Sequence, residues 1–259
     1  MKNHFFFNVL FFCVSSLVIF AEEVTNKTYV DYPFSVQFLE NKIIFKEEKD
    51  DGNTTIAREG QFVIEYECTI PFLHINYDDG KYEKLLVIKN DNVCALLSDK
   101  KLIFLGTASS FNQREGYLPP SIVTATSFLT EKDKNYSSEN LSKNPHLETP
   151  WVEGAAGQGI GEKLYIKNTI ATELYISLGF VSFYRPYLYT MNSRPKELKF
   201  SVDGKFSLVQ HLSDTPNYQK IVFPEQVKYD DILVIEILSV YEGTRYQDTC
   251  INNIIIKKW

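Results

Sequence analysis

Residues 149–162 read Thr149-Pro150-Trp151-Val152-Glu153-Gly154-Ala155-Ala156-Gly157-Gln158-Gly159-Ile160-Gly161-Glu162. One tryptophan, two carboxylates and four glycines stand here between a polar segment and a strand-like run. Glycine adopts backbone conformations that residues with a Cβ resist. The stretch therefore predicts a turn with a defined backbone conformation and not a flexible linker.

Short apolar segments follow the turn and predict an antiparallel β-sandwich. Residues 174–180 and 198–202 alternate apolar with polar side chains, and Asp203-Gly204 supplies a hairpin turn. Residues 232–238 are nearly all apolar, as in the central strand of a sandwich. Regularly spaced strands without intervening helices are typical of sandwiches and barrels.

Further motifs lie on both sides of the turn. They are residues 125–129 with Tyr136 and Asn140-Leu141 upstream, and residues 192–196 and 240–251 downstream. With the turn, they resemble the discoidin-like (coagulation factor 5/8 type C) domain in its NAD glycohydrolase translocation variety, from about residue 122 to 257. The resemblance implies a galactose-binding-like jelly-roll β-sandwich. It also implies a non-catalytic module that, in glycohydrolase toxins, accompanies a separate catalytic domain.

The first half of the chain predicts a separate small β domain. Residues 34–38 and 62–68 alternate apolar with polar side chains, and residues 85–105 form apolar runs joined by short turns. Such a pattern is typical of an antiparallel meander that forms a barrel or a sheet. The predicted fold class is therefore all-β throughout, and the family of this first domain is not recognised.

The chain divides into four segments. Residues 1–21 combine Lys2, an apolar run from Phe5 to Phe20 and a small residue at the break, which is typical of a secretory signal peptide. The first β domain covers residues 22–105, a proline- and glycine-containing linker covers residues 106–121, and the sandwich covers residues 122–259. We expect an exported protein that is periplasmic, surface-associated or secreted, without a transmembrane segment after cleavage.

The net charge is −6, with 33 acidic and 27 basic residues interspersed. This balance argues against nucleic acid as a partner. Three cysteines follow the signal peptide: Cys68, Cys94 and Cys250. A Cys68–Cys94 disulfide and three buried thiols both fit the sequence, and the buried thiols are favoured.

No catalytic residue is assigned. Glu153 and Glu162 form a carboxylate pair near a tryptophan, and glycosidases use such a pair for catalysis. The resemblance, however, places both residues in a non-catalytic module. Glu162 is expected to pair with a buried base such as Arg194 or Arg245. The histidines and cysteines show no zinc-ligand spacing, and no cofactor is predicted.

A structural calcium ion is considered and disfavoured. Family members often hold one, with an acidic residue shortly after the motif matching Asn140-Leu141. Here Lys143 and Asn144 stand near that position instead. Because calcium favours oxygen ligands and negative charge, the departure weakens the site.

Recognition of a ligand is the favoured role of the sandwich. Aromatic rings stack on the apolar faces of sugars, while guanidinium, amide and carboxylate groups contact the hydroxyls. The candidate ligand-binding residues are Trp151, Tyr184, Arg185, Tyr187, Asn192, Arg194, Arg245, Tyr246 and Asp248. A structural role is favoured for the residues that match the motif shared by the family, which are Trp151, Glu162, Asn192, Arg194 and Asp248. Tyr184 and Arg185 lie outside that motif and are the better contact candidates.

The sequence thus predicts an exported, non-catalytic protein whose sandwich recognises a glycan or a cell-surface component. Two alternatives stay open: a hydrolase, cleaving glycosides or NAD with Glu153 and Glu162 at the domain seam, and a structural envelope protein.

Overall fold

The computed structural model describes residues 27–31, 33–48, 54–98, 102–106, 116–142 and 148–258. The predicted signal peptide and most of the predicted linker lie outside these ranges. The chain is all-β, as predicted, with two β domains in sequence order. No helix of the described residues is long and apolar enough to cross a membrane.

The N-terminal domain is an up-and-down barrel in which each strand pairs antiparallel with the next. Its strands are β1 (Lys27–Asp31), β2 (Phe34–Leu39), β3 (Lys42–Glu48), β4 (Thr54–Glu67), β5 (Ile70–Tyr77), β6 (Tyr82–Lys89), β7 (Val93–Leu97) and β8 (Leu102–Gly106). The barrel closes through a single residue pair, Val30 on β1 with Gly106 on β8. Side chains fill its interior, because period-two alternation sends every second residue inward.

The C-terminal domain consists of two packed sheets. Its elements are β9 (Gly116–Leu118), β10 (Ile122–Ala125), β11 (Thr130–Glu131), β12 (Lys134–Asn135), a 3-10 turn (Ser138–Leu141), β13 (Trp151–Val152), β14 (Lys163–Lys167), β15 (Ala171–Leu178), α1 (Leu188–Met191), β16 (Arg194–Val202), β17 (Phe206–His211), β18 (Gln219–Val227), β19 (Leu233–Tyr241) and β20 (Cys250–Lys258). One sheet runs β10-β14-β19-β16-β17, and the other runs β13-β20-β15-β18 with β9 beside β20.

The core of the sandwich lies between the two sheets. Leu174, Ile176 and Leu178 of β15 face Leu198 and Phe200 of β16 in one buried cluster. The alternation read from residues 174–180 and 198–202 therefore places these side chains correctly. The Asp203-Gly204 turn joins β16 to β17, with Gly204 at φ +68°.

A second apolar cluster joins the barrel to the sandwich. The outer faces of β5, β6 and β7 pack against the outer face of the β20-β15 pair and the loop that follows β15. The cluster consists of Ile70, Phe72, Leu86, Ile88, Val93, Ala95, Leu97, Tyr117, Tyr175, Val181, Tyr189, Tyr218 and Ile255, with Phe183 at its edge. A hydrogen bond from the Lys89 backbone N–H to Asn217 Oδ1 (3.2 Å) crosses the same contact. Apolar burial thus holds the two domains together.

The three described cysteines are free. Cys94 and Cys250 are buried, and burial raises the pKa of the Cys94 thiol to about 12. Cys68 is exposed at the tip of the β4–β5 hairpin, so the favoured prediction of three buried thiols is wrong for this residue. The hairpin turn presents Cys68 outside the barrel while Cys94 faces its interior.

Candidate functional site

Four loops of the sandwich lie at one end, which we call the loop end. They are residues 126–129, 153–162, 179–193 and 242–249. Strand pairing brings them together: Ala125 lies opposite Leu164, Leu178 opposite Ile251, and Arg194 opposite Tyr241. All nine candidate ligand-binding residues lie in these loops or at the strand ends beside them.

The glycine-rich turn is built around Glu153. This carboxylate is fully buried and accepts hydrogen bonds from the Ala155 N–H (2.8 Å) and the Thr249 N–H (3.1 Å). A Cβ on Gly159, whose φ is +66°, would lie 2.5 Å from Glu153 Cγ. The glycine thus lets the turn fold closely over the carboxylate. Burial raises the pKa of Glu153, against the two backbone N–H donors that lower it.

Trp151 stabilises the base of the same turn. Its side chain is fully buried, and its indole Nε1–H donates to the Ser127 carbonyl oxygen (3.0 Å). This placement favours the structural role over direct contact with a ligand. Gly154 completes the junction, because a Cβ there would lie 2.4 Å from the Phe128 carbonyl oxygen.

Glu162 binds hydroxyl groups and not a cation. Its carboxylate accepts hydrogen bonds from Thr126 Oγ1 (2.6 Å) and from Ser127 Oγ. The predicted ion pair with Arg194 or Arg245 is therefore wrong. The loop after β10 carries two hydroxyls that reach the start of β14, and that proximity is set by the pairing of distant strands.

Arg194 instead forms a bidentate pair with Asp214. Its Nε donates to Oδ1 (3.0 Å) and its Nη2 to Oδ2 (2.6 Å). Its Nη1 donates to the Asn192 carbonyl oxygen (2.6 Å), and the Asn192 amide donates to the Leu188 carbonyl oxygen (2.8 Å). Both side chains are buried and tie loops together, so their placement also favours a structural role.

The loop of residues 242–249 is fastened to α1 by backbone contacts. The Tyr246 N–H (2.8 Å) and the Arg245 N–H (3.1 Å) both donate to the Met191 carbonyl oxygen. Asp248 is partly buried, and its carbonyl oxygen accepts from the Ser193 N–H (3.0 Å). Arg245 and Tyr246 are exposed, with the guanidinium carbon 5.2 Å from the Tyr246 ring centroid.

Tyr184 and Tyr187 are exposed, and Arg185 between them is partly exposed. Tyr184 is 64 % exposed and Tyr187 is 42 % exposed, while the Arg185 guanidinium lies 5.8 Å from the ring centroid of Phe180. Tyr187 directly precedes α1, and its carbonyl oxygen accepts from Thr190 Oγ1 (3.2 Å). These side chains stand at the surface on a segment whose backbone is held in place.

Two residues missed in the sequence hold that segment. Glu148 accepts hydrogen bonds from Ser182 Oγ (2.7 Å) and from the Phe183 N–H, and Ser182 Oγ in turn accepts from the Arg185 N–H (3.0 Å). Asp214, the partner of Arg194, also accepts from the Tyr189 hydroxyl (3.0 Å). Neither acid belongs to a local motif, so no spacing in the sequence indicates them.

The sequence shows no zinc-ligand spacing and disfavours a calcium site near Asn140-Leu141. Among the residues that the structure describes, no group of three or more His, Cys, Asp or Glu side chains is arranged to hold a metal ion. Lys143 and Asn144 lie outside the described ranges, so the calcium prediction stays untested at its own position.

Known structures resemble this domain at low sequence identity. The family 32 carbohydrate-binding module of Clostridium perfringens NanJ, in complex with galactose, covers 53 % of this chain and 93 % of its own, at 12 % identity and a TM-score of 0.38. CpGH89CBM32-5 from Clostridium perfringens, in complex with GalNAc-β-1,3-galactose, covers 55 % of this chain and 100 % of its own, at 12 % identity and a TM-score of 0.41. An allantoicase covers 88 % of this chain and 78 % of its own, at 11 % identity and a TM-score of 0.33.

The family of the chain is assigned from its sequence and not from these structures. No curated protein matches the sequence significantly. The model described as "NAD glycohydrolase translocation F5/8 type C domain" matches residues 116–257, which is more than half of the chain. The match spans both sheets, the glycine-rich turn and all four loops of the loop end. The chain therefore belongs to the NAD glycohydrolase translocation F5/8 type C domain family.

Proposed function

We propose that this protein is an exported, non-catalytic binding protein whose sandwich recognises a glycan at the loop end. The observation that carries the proposal is the exposure of Tyr184 and Tyr187, beside Arg185, on a segment fixed by partly buried hydrogen bonds. Exposed rings on an ordered backbone suit the apolar face of a sugar, because little conformational entropy is lost on binding.

Polar groups beside the rings suit the hydroxyls of a sugar. Arg185 and Arg245 supply guanidinium donors, and Asp248 lies between Arg245 and the start of β20. Such a site is shallow, and we expect single sugars to bind with a Kd of about 1 mM to 1 µM. Trp151, Asn192 and Arg194 then act as supports of the loops.

The hydrolase alternative receives less support from the geometry. Glu153 is sealed beneath the glycine-rich turn, where both of its oxygens accept backbone N–H groups. Glu162 is held by two hydroxyls. Each carboxylate therefore has a role in stabilising a loop. Turnover of NAD or of chromogenic glycosides that is abolished by Glu153→Gln would favour the hydrolase over the binding protein.

A glycan array tests the proposal directly. The array holds mono- to octasaccharides and includes galactose and GalNAc-β-1,3-galactose. We expect Tyr184→Ala to reduce the affinity for bound glycans about tenfold, since it removes an aromatic platform. Tyr229→Ala is the matched control, because Tyr229 is 55 % exposed in the loop after β18, at the opposite end of the sandwich.

Two outcomes would contradict the proposal. The first is an array without signal for the unmodified protein, and discrete oligomers in size-exclusion chromatography would then favour a structural envelope protein. The second is equal glycan binding by the Tyr184→Ala variant and by the unmodified protein. Export is tested separately by fractionation, where full-length material confined to the cytoplasm would contradict it.

A further inference from the structure

We propose that the binding surface continues from Tyr184 across the domain seam onto the barrel, so that the ligand is an oligosaccharide of several rings and not a single sugar. The surface consists of Tyr184, Phe183, Lys84, His74 and Tyr82, and we call it the seam strip. The ring of Phe72 is buried beneath it, in contact with Lys84 and Phe183. This inference rests on the glycan-binding function proposed above and extends it to the barrel.

At its sandwich end, the strip is connected to the barrel by three aromatic rings in edge contact. Tyr184 and Phe183 have ring centroids 5.3 Å apart at an interplanar angle of 78°. Phe183 and Phe72 have ring centroids 5.7 Å apart at 72°. Phe72 belongs to β5 of the barrel, so the barrel touches the segment that presents Tyr184. The loop residue is thereby positioned by both domains.

Lys84 lies above this contact. Its ammonium is 4.0 Å from the centroid of Phe72 and 5.7 Å from that of Phe183, and it pairs with Glu67 on β4. A cation over two rings, with a carboxylate beside it, offers both a hydrogen-bond donor and an acceptor next to an apolar surface. Sugars need this combination, because each ring has an apolar face and a polar rim.

The strip continues along the outer face of the barrel. Phe72 lies opposite Leu86, His74 opposite Lys84, and Asn76 opposite Tyr82, so alternate residues of β5 and β6 share one face. Phe72 and Leu86 of this face are covered by the sandwich. Tyr82, four residues before Leu86 on β6, is 59 % exposed. The outer face of the barrel is therefore open to solvent at Tyr82.

A polar group of three residues ends the strip. The Tyr82 hydroxyl and His74 Nδ1 form a hydrogen bond of 2.6 Å, and their ring centroids lie 6.1 Å apart. His74 Nε2 lies 3.5 Å from Glu65 Oε2 on β4. The imidazole on β5 thus orients the Tyr82 phenol on β6, and an exposed, oriented ring is a second stacking platform.

The dimensions of the seam strip favour an extended ligand. From Phe72 to His74 the strand advances about 7 Å, and with the ring distances above, the path along the strip from the Tyr184 ring to the Tyr82 ring is about 24 Å long. The charges along the strip (Lys84 against Glu65 and Glu67) are mixed and not of one sign. We therefore assign a neutral oligosaccharide that contacts Tyr184 at one end and Tyr82 at the other.

The test compares chain lengths on the full-length protein. Isothermal titration with the oligosaccharides bound on the array, and with their single terminal sugars, is repeated for Tyr82→Ala. We expect the Tyr82→Ala variant to bind oligosaccharides about five- to tenfold more weakly than the unmodified protein, and to bind single sugars with unchanged affinity. Tyr82→Phe keeps the ring but loses the hydrogen bond to His74, so its affinity for oligosaccharides should lie between that of Tyr82→Ala and that of the unmodified protein. Tyr229→Ala is the control for loss of an exposed tyrosine.

The two proposals fail in different ways. If Tyr184→Ala weakens binding while Tyr82→Ala changes no affinity at any length, the seam strip is wrong and the glycan site at the loop end stands. A loss for Tyr82→Phe as large as that for Tyr82→Ala also overturns the stacking role of Tyr82. If the unmodified protein binds no saccharide, both proposals fall.

Discussion

Arg194 and Asp214 form a bidentate ion pair at the loop end, with Nε–Oδ1 and Nη2–Oδ2 distances of 3.0 and 2.6 Å. The arginine is buried, while the side chain of Asp214 is 36 % exposed. The pair joins the start of β16 to the segment between β17 and β18. It therefore links the two sheets at the end where the proposed ligand binds.

Asp214→Ala is expected to lower the free energy of unfolding by about 1–3 kcal/mol. The substitution leaves a buried guanidinium without its carboxylate, and the partial exposure of Asp214 reduces the cost below that of a sealed pair. Chemical denaturation measures the change. Asp230→Ala, at an exposed position in the loop after β18, is the control, and equal stability of the two variants would contradict the role of the pair.

Glu153 is expected to make stability depend on pH. Its pKa is raised in the folded protein by burial, so the ionised form is disfavoured relative to the unfolded chain. The free energy of unfolding should therefore increase as the pH falls through the raised folded-state pKa of Glu153. The increase ends once the pH is below the pKa of Glu153 in the unfolded chain.

The measurement is a comparison of slopes. Thermal unfolding of the unmodified protein and of Glu153→Gln between about pH 7.5 and 5 isolates this group, because the other titrating residues are common to both. We expect the glutamine variant to gain less stability on acidification. Parallel pH profiles would show that Glu153 ionises as freely in the folded protein as in the unfolded chain.

Gly159→Ala should destabilise the sandwich more than Gly157→Ala. Both glycines have positive φ, +66° and +95°, which costs a residue with a Cβ about 1–2 kcal/mol. Only at Gly159 does the new methyl group also collide with a side chain, that of Glu153, whereas nothing lies within 4 Å at Gly157. Denaturant midpoints that are equally lowered in the two variants would contradict the close packing of the turn.

Phe72→Ala is expected to lower the free energy of unfolding by about 3 kcal/mol, because it removes a buried ring from the contact between the domains. Val63→Ala, on the neighbouring strand and 56 % exposed, is the control and should change stability by less than about 0.5 kcal/mol. Calorimetry of both variants makes the comparison. A negligible effect of Phe72→Ala would indicate that the domains do not stabilise each other.

The sequence predicts the fold well because periodicity is local. Alternation over residues 174–180 is enough to place Leu174, Ile176 and Leu178 in the core. The partners of individual polar groups are not local. Arg194 pairs with Asp214 and Glu162 with Ser127 because strand order brings distant segments together, and no spacing in the sequence encodes that order.

The contact between the domains was also beyond prediction. Residues 85–97 read as an apolar meander whether their outward side chains face water or a second domain. Only the structure shows Leu86, Ile88 and Ala95 against Tyr175 and Ile255. For the same reason, the exposed rings of the loop end could be named from the sequence, whereas the burial of Phe72 against the sandwich could not.

The burial of Trp151 gives the protein an optical probe of one domain alone. The chain has two tryptophans, Trp151 in the sandwich and Trp259 after β20 in the sequence. In a Trp259→Phe background, tryptophan emission would come from a single indole enclosed in the sandwich, and a red shift would show that water has reached it. Tyrosine emission would follow both domains, so the two signals together would reveal whether barrel and sandwich lose their structure at the same denaturant concentration.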